Sequence, residues 1–315
     1  MTRLLLRRLA LSLLVLLAMS LVIQALMGLM PGDPIDLMIA GDPRLTPEDA
    51  ARLKDLYGLN RSWGERWLRW LAQAVQGDLG YSRLYGLPVI TALTPALGHT
   101  LLLMGTALTL SWLVALPLGL LAARYPGGWL DGGAAALALT SVSLPVFWSG
   151  LMLTAVFAVT LGWLPAGGLG PPDATAADRL RHLILPAATL ALAGLGPILR
   201  HLRAALLTEA QRPYLRTARA KGCGPWRVLL VHQARNALLP VVTLIGLELG
   251  GMLSGALVTE TVFAWPGMGR LIYESVMGND FNLALSGLML ATLTTLAGSI
   301  LADLLQAGLD PRGRR

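Results

Sequence analysis

The chain has 315 residues, 55% of them hydrophobic and only 14% charged, and its mean hydropathy is +0.61. Soluble domains carry about 25% charged residues, so this composition excludes an ordinary soluble protein and requires lipid around much of the surface. The net charge of +7 lies mostly on arginines beside apolar runs, which favours membrane-flanking charge over a nucleic-acid-binding surface. Cys223 is the only cysteine and the four histidines form no metal-binding motif, so neither a disulfide nor a metal site is expected.

The first apolar run extends over Leu9–Met30 and follows three arginines. About 20 apolar residues are needed to span a bilayer as a helix. The run is too long for the apolar part of a secretory signal peptide, and no small-x-small cleavage site precedes Pro31. Residues 1–30 are therefore predicted to form a membrane helix whose N-terminus lies in the cytoplasm.

Residues 31–97 are polar, with acidic and basic side chains in near balance. Thr46 can cap a helix that ends at Gly58, and Ser62 with Glu65 forms the capping-box pattern of a second helix. The segment is predicted to be a small helical insert on the extracytoplasmic side. One face of its second helix carries an apolar stripe suited to packing or to a membrane interface: Trp63, Trp67, Trp70, Leu71 and Ala74.

Five further apolar segments follow in residues 98–315, and each is long enough to cross a bilayer. They extend over His99–Ala123, Ala134–Trp163, His182–Leu206, Ala237–Val258 and Leu283–Leu309. Prolines inside them, such as Pro145, are tolerated in membrane helices when neighbouring helices satisfy the freed backbone groups. The predicted fold is therefore an all-α integral membrane protein with about six transmembrane helices.

The distribution of positive charge predicts the orientation, because short cytoplasmic loops are enriched in Lys and Arg. The stretch 200–235 contains eight Lys or Arg residues and one acid, Glu209, so it is predicted to be cytoplasmic. Residues 312–315 are also basic. Six spans then place both chain ends in the cytoplasm and the loops 164–181 and 259–282 outside.

The basic stretch at about 207–235 contains an elbow, that is, two short helices separated by residues that end one helix and begin the next. Pro213 suits the first turn of a short helix, Gly222 can end that helix in a left-handed conformation, and Pro225 can begin the next helix. A helix–Gly–helix elbow on a cytoplasmic membrane face is suited to docking a partner. The alternative is a basic loop lying on anionic headgroups. It explains the positive charge but not the Pro and Gly residues that bound the two helices.

This elbow resembles the docking loop of ATP-binding cassette (ABC) transporter permeases, in which an E-A-A-x-x-x-G pattern forms a coupling helix. Arg216, Thr217 and Ala218 stand where that pattern has E-A-A, and Gly222 matches its glycine. The acid is absent, so its role is not transferred to this chain. The pattern Y-x-R-T-A-R-A-K-G, which begins at Tyr214, is typical of the dipeptide, oligopeptide and nickel branch of these permeases.

The resemblance extends over nearly the whole chain, because further motifs of that branch occur in order. They are Pro31–Pro34, Gly77–Gly80, Ser143–Trp148, Leu161–Ala166, Arg181–Pro186, Arg235–Pro240, Glu260–Gly267 and Leu309–Pro311. The resemblance implies the fold of a type I ABC importer permease in a prokaryotic cytoplasmic (inner) membrane. It also implies partners: a second, similar permease, two cytoplasmic ATP-binding subunits and an extracytoplasmic substrate-binding protein.

The resemblance further implies which residues couple the chain to the ATPase: Tyr214, Arg216, Thr217, Ala218, Arg219, Ala220, Lys221 and Gly222. Independently, a P-loop requires G-x-x-x-x-G-K-[S/T], and the only lysines, Lys54 and Lys221, do not fit that pattern. The chain is therefore not expected to be an enzyme by itself or to bind a cofactor. ATP and magnesium are expected on the partner ATPase subunits.

Glu248 lies in the middle of an expected membrane span. A charged residue at that depth costs at least about 2.5 kcal/mol on insertion scales, so its side chain is expected to face a cavity or a partner helix. Glu248 is therefore a candidate for the translocation path, and a hydrogen bond between helices is the alternative.

Two other classes of function fit the sequence less well. A self-contained secondary transporter would require inverted repeats, which the sequence does not show. A membrane enzyme would require a motif such as H-E-x-x-H or G-x-S-x-G, and neither occurs. Peptides are the expected cargo because they are the commonest cargo in the resembled branch; nickel complexes, glutathione and other small solutes are alternatives.

Overall fold

The computed structural model describes residues 2–29, 46, 48, 52, 62–238, 241 and 256–309. Within these residues the secondary structure is almost entirely helical, which confirms the predicted all-α class. The strands in this part of the chain are a two-residue antiparallel pair, Tyr81–Ser82 (β1) and Leu87–Pro88 (β2). The chain divides into two compact units: Met1–Gly98 with Arg270–Thr294, and His99–Gly269 with Thr295–Arg315.

The helices are numbered in chain order. They are Thr2–Gly28 (α1), Trp63–Val75 (α2), Val89–Arg124 (α3), Trp129–Ser143 (α4), Val146–Leu153 (α5), Ala176–Glu209 (α6), Pro213–Ala220 (α7), Pro225–Arg227 (α8), Met268–Met277 (α9) and Phe281–Leu309 (α10). Two helices continue in π-helical geometry, α5 over Thr154–Thr160 and α8 over Val228–Gln233.

Several of these helices are long and apolar enough to cross a membrane. Four pass alone, over Leu6–Gly28, Val89–Arg124, Ala176–Glu209 and Phe281–Leu304, and the bent pair Trp129–Ser143 with Val146–Thr160 makes up to five. The predicted span Ala237–Val258 lies almost entirely outside the described residues. The count of six spans therefore stays a prediction.

One predicted span differs from the structure. Ala134–Trp163 is predicted as one span that contains Pro145, and in the structure the chain bends by 104° between α4 and α5. Leu144 ends α4 with extended backbone angles, φ −87° and ψ 126°. The ring of Pro145 disfavours the helical conformation of the residue before it, so this segment is a bent pair of helices rather than one straight helix.

In the first unit, α2 begins with the predicted capping box. Ser62 Oγ accepts from Glu65 N at 3.4 Å, and Glu65 Oε2 accepts from Ser62 N at 3.2 Å. Trp67 Nε1 donates to Ser20 Oγ of α1 at 3.0 Å, so α2 lies against the first membrane helix. The helix predicted from Thr46 to Gly58 lies almost entirely outside the described residues.

The β-hairpin of the same unit is held by a buried carboxylate. Asp280 Oδ2 accepts from Ser82 Oγ at 2.5 Å and from Leu84 N at 2.9 Å. Asp280 Oδ1 accepts from Leu283 N in the first turn of α10 at 3.2 Å. One side chain therefore caps α10 and fixes the turn between β1 and β2.

In the second unit, α3, α4 and α6 pack closely around small residues. A Cβ atom on Gly196 of α6 would lie 2.2 Å from Ser141 Oγ and 2.6 Å from the carbonyl oxygen of Ala138, so α4 and α6 nearly touch there. A Cβ on Gly119 of α3 would lie 2.7 Å from Leu202. The buried side chains of this cluster are Ala115, Ala122, Ala134, Ala138, Leu195, Ile198 and Leu199.

Candidate functional site

The elbow, defined here as residues Arg212–Arg227, forms the predicted pair of short helices. Arg212 precedes α7 in an extended conformation and Pro213 occupies the first helical position, where its missing N–H costs nothing. Gly222 follows α7 with φ +82°, a conformation that side chains with a Cβ rarely adopt. Pro225 then begins α8, as the sequence predicts.

The two faces of α7 differ in burial. Leu215 and Ala218 are buried and pack against Val228, with Cys223 at the edge of the cluster. The remaining predicted coupling residues lie exposed: Tyr214, Arg216, Thr217, Arg219, Ala220, Lys221 and Gly222. Sequence reasoning placed Ala218 on the surface that receives the ATPase, whereas the structure turns its side chain inward. The small size of Ala218 serves packing inside the elbow.

Tyr214 fastens α7 to the helices on either side. Its hydroxyl donates to Glu209 Oε1, at the end of α6, at 2.7 Å. It accepts from Asn236 Nδ2 at 2.8 Å. Burial is the main cause that raises the pKa of Tyr214, and the hydrogen bond to Glu209 adds to it. Tyr214, which was predicted as a coupling residue, is thus bonded within the chain and connects α7 to the end of α6.

A second bond joins the segment after the elbow to α6. Gln233 Nε2 donates to the carbonyl oxygen of Leu206 at 2.8 Å, and the bond is buried. Together with the Tyr214 bonds it fixes α7 and the following π-helical segment to the last turns of α6.

The exposed face of α7 is cationic. Arg216 and Arg219 lie on it and Lys221 follows the helix directly, and within the described part of the chain none of the three forms an ion pair. Unpaired cations on a rigid, exposed helix can be paired by acidic side chains of a partner.

Two further expectations from the sequence concern Glu248 and metal binding. Glu248 lies outside the described residues, so its assignment to a translocation path stays a prediction. Among the described residues, no group of three or more His, Cys, Asp or Glu side chains could hold a metal ion.

Glu260 is a buried acid whose role sequence reasoning missed. Its side chain is fully buried, and its Oε1 accepts from Thr100 Oγ1 at 2.5 Å. The same threonine hydroxyl accepts from Met268 N at 2.7 Å. A Cβ on Gly267 would lie 2.1 Å from Glu260 Oε1, so a larger residue there would displace the buried carboxylate. The motif Glu260–Gly267 was visible in the sequence, but the partner of Glu260 on α3, Thr100, was not.

The loop after Glu260 is anchored by further buried contacts. Trp265 is 1% exposed, and its Nε1 donates to the carbonyl oxygen of His99 at 3.1 Å. Phe263 O accepts from Gly168 N at 2.8 Å. A Cβ on Gly167 would lie 2.1 Å from Phe263 O. The segments 161–170 and 259–268 therefore lock together through backbone contacts that only glycine permits.

Comparisons with known proteins agree with this architecture. A family profile described as the binding-protein-dependent transport system inner membrane component matches residues 115–315. The chain is 37% identical to the oligopeptide transport system permease protein AppB of Bacillus subtilis over 97% of both chains. It is 38% identical to a putative peptide permease protein of Brucella suis over 99% of both.

The dipeptide transport system permease protein DppB of Escherichia coli K12 is 34% identical, with 100% of this chain and 99% of that protein covered. The matches therefore include the insert, the elbow and the locked loops alike, and they extend over the whole sequence. With a family profile that covers well over half of its residues, the chain belongs to the binding-protein-dependent transport system inner membrane components, the permease subunits of ABC importers.

Proposed function

We propose that the chain is one of two permease subunits of an ATP-driven importer that brings peptides into the cell. The observation that carries the proposal is the exposed cationic face of α7, which Tyr214 holds at the end of α6. Peptide cargo is supported by the names of full-length relatives, which are oligopeptide and dipeptide transport permeases.

The proposed assembly contains a second, similar permease, two cytoplasmic ATP-binding subunits and an extracytoplasmic substrate-binding protein. ATP and magnesium bind the ATPase subunits. The sequence supports this division, because neither of its two lysines stands in a P-loop pattern. Nucleotide hydrolysis must then occur on another chain, and its energy must enter this chain through a mechanical contact.

The proposed location is the cytoplasmic membrane, with both chain ends and the elbow in the cytoplasm. The positive charge of residues 200–235 supports this orientation, because short basic loops are retained on the cytoplasmic side. The ATPases and the exposed face of α7 then lie on the same side of the membrane.

Coupling would proceed from the ATPases to the membrane helices. Closure of the ATPase pair on ATP displaces the exposed face of α7. The hydrogen bonds of Tyr214 to Glu209 and of Gln233 to Leu206 carry the displacement to α6. The path for the peptide then opens to one side of the membrane or to the other.

Co-purification tests the proposal. The affinity-tagged chain, extracted from membranes that express the whole transporter, should carry the second permease and the ATPases. A variant with Arg216→Glu, Arg219→Glu and Lys221→Glu should lose the ATPases while it keeps the second permease, because repulsion replaces attraction at the docking face. Arg179→Glu, an exposed charge reversal near the other end of α6, is the matched control. ATPases that stay bound to the triple variant would contradict the proposed docking site.

A further inference from the structure

Asp131 is a buried carboxylate to which the proposed coupling contact assigns no role. It lies in the first turn of α4 and is only 5% exposed. Arg203 of α6 donates to both of its oxygens, from Nε to Oδ1 and from Nη2 to Oδ2 at 2.8 Å. Gly127 N donates to Oδ2 at 2.9 Å. A bidentate ion pair of this kind fixes the orientation of the carboxylate and the guanidinium as well as their separation.

The position of the pair along α6 connects it to the elbow. Arg203 lies six residues before Glu209, which is about 9 Å along a helix. Glu209 is the residue that Tyr214 of α7 binds. A continuous run of directional contacts therefore leads from α7 through the end of α6 to the start of α4.

The rest of the interface between α4 and α6 is different in kind. It consists of small and apolar side chains, with the close approach at Gly196 described above. These contacts fix the spacing of the two helices by shape, most tightly at Gly196, and the ion pair adds a directional bond near the start of α4. Among the described residues, Asp131–Arg203 is the one ion pair between α4 and α6.

The partial exposure of Arg203 shows how the pair differs from a simple fold-stabilising contact. Its side chain is 35% exposed, against 7% for Asp131. If the pair is broken by removal of the Asp131 charge, the guanidinium can be hydrated in place and the apolar packing can persist. Loss of the pair should therefore loosen the start of α4 against α6 near Asp131, while the helices stay packed at Gly196.

We propose that the Asp131–Arg203 pair is the joint through which displacement of α7 reaches α4 and hence the bent pair α4–α5. The two residues act as positioning residues. The proposal rests on the proposed function, since it takes α7 as the element that the ATPases displace. With the joint intact, α4 and α6 move as one body when the ATPases close.

Spin-label distances in the complete transporter test the joint. In a Cys223→Ser background, labels are placed at two exposed positions, Ala135→Cys on α4 and Arg200→Cys on α6. Distances are measured without nucleotide and after trapping of the ATPases with a non-hydrolysable ATP analogue. With Asp131 and Arg203 in place, the distance should be the same in both states. Asp131→Asn should add a second distance population on trapping.

Two further variants make the test specific. Arg203→Lys keeps the charge but loses one of the two bonds, and it should give a smaller second population. If the Asp131→Asn chain does not assemble into the transporter, the distances in Arg203→Lys decide whether the pair acts as a joint. Arg179→Gln removes an exposed charge from the same helix and should leave the distances as in the parent.

An unchanged distance in both Asp131→Asn and Arg203→Lys after trapping would overturn the joint and leave the docking site standing. A second population already present without nucleotide would show that the pair serves packing alone, which also overturns the joint. Failure of the parent complex to retain ATPases, checked beforehand by mass spectrometry, would overturn the proposed function, and with it the joint.

Discussion

Thr217 and Ala218 are sequence neighbours with opposite surroundings. Thr217 is exposed on α7, whereas Ala218 is 9% exposed and contacts the cluster that contains Leu215 and Val228. Both are small, so the sequence alone suggested that both would seat against a partner. Burial separates a residue that shapes the elbow from one that is free to meet the ATPase.

The first prediction uses that difference. Ala218→Trp should destabilise the chain by about 1–3 kcal/mol, because the indole has no room in the elbow and overpacking forces neighbours to shift. Thr217→Trp should leave stability nearly unchanged. The measurement is the unfolding midpoint of the detergent-solubilised chain. Equal midpoints for the two variants would contradict the assigned orientation of α7.

Tyr85 gives a prediction about pH. Partial burial of its ring and the hydrogen bond from its hydroxyl to Glu274 Oε2, at 2.8 Å, raise the pKa of Tyr85 to about 12. The protonated form is therefore favoured in the folded state. Its contribution to stability is complete below about pH 10, the pKa of an unfolded tyrosine, and is lost as pH rises towards 12.

The measurement is the unfolding midpoint of the parent chain and of Tyr85→Phe as a function of pH. The parent should be more stable by a constant amount between pH 7 and 9, and the difference should shrink above about pH 10. Tyr125→Phe is the control, because Tyr125 is similarly exposed. A difference that stays constant to pH 12 would contradict the assigned environment of Tyr85.

At the scale of elements, the sequence predicts what depends on local signals. The capping box of Ser62 and Glu65 and the left-handed Gly222 were both foreseeable, because residues within a few positions determine them. The bend at Pro145 was not foreseen, since prolines also occur in continuous membrane helices, as two do inside α6.

Contacts between elements that are distant in the chain could not be predicted from the sequence. Thr100 and Glu260 are separated by 160 positions, and Asp131 and Arg203 by 72. Hydrophobic periodicity indicates which segments are helices, but not which polar groups on two helices meet. The buried acids were therefore found only once the helices were placed together.

The close approach of α4 and α6 supplies the prediction at this scale. Gly196→Ala should destabilise the chain by about 1–3 kcal/mol, because the added methyl group would overlap Ser141 and Ala138. Gly105→Ala in α3 is the control, since a Cβ there meets nothing within 4 Å. The control should be neutral or slightly stabilising, as expected for Ala against Gly in a helix.

The test is thermal unfolding in detergent, with uptake activity measured in parallel. If Gly196→Ala and Gly105→Ala behave alike, the α4–α6 contact is looser than the structure indicates.

At the scale of the whole molecule, composition alone predicted a membrane protein, because too few charges are present to cover a soluble fold of this size. The order of motifs predicted the family, which the comparisons confirm. The sequence determines the number of spans and the orientation less directly than it determines the membrane class and the family. Orientation depends on charge counts in loops, and the predicted fifth span lies almost entirely outside the described residues.

Orientation can be tested with the single native cysteine. Cys223 lies in the elbow and is partly exposed, so in intact cells it should react with membrane-permeant thiol reagents and not with impermeant ones. In a Cys223→Ser background, Ser62→Cys should react with impermeant reagents, because α2 is predicted to lie outside. Labelling of Cys223 by an impermeant reagent would invert the proposed topology.

The central claim is that ATPase closure enters this chain through the exposed face of α7. The most direct measurement is peptide-stimulated ATP hydrolysis and peptide uptake by the complete transporter in liposomes, with the binding protein added. The parent transporter should show both activities. Thr217→Trp should abolish the stimulation and the uptake while it leaves the unfolding midpoint of the chain unchanged, because the indole blocks docking without disturbing the elbow. Full stimulation and uptake by Thr217→Trp would contradict the claim and place the ATPase contact elsewhere.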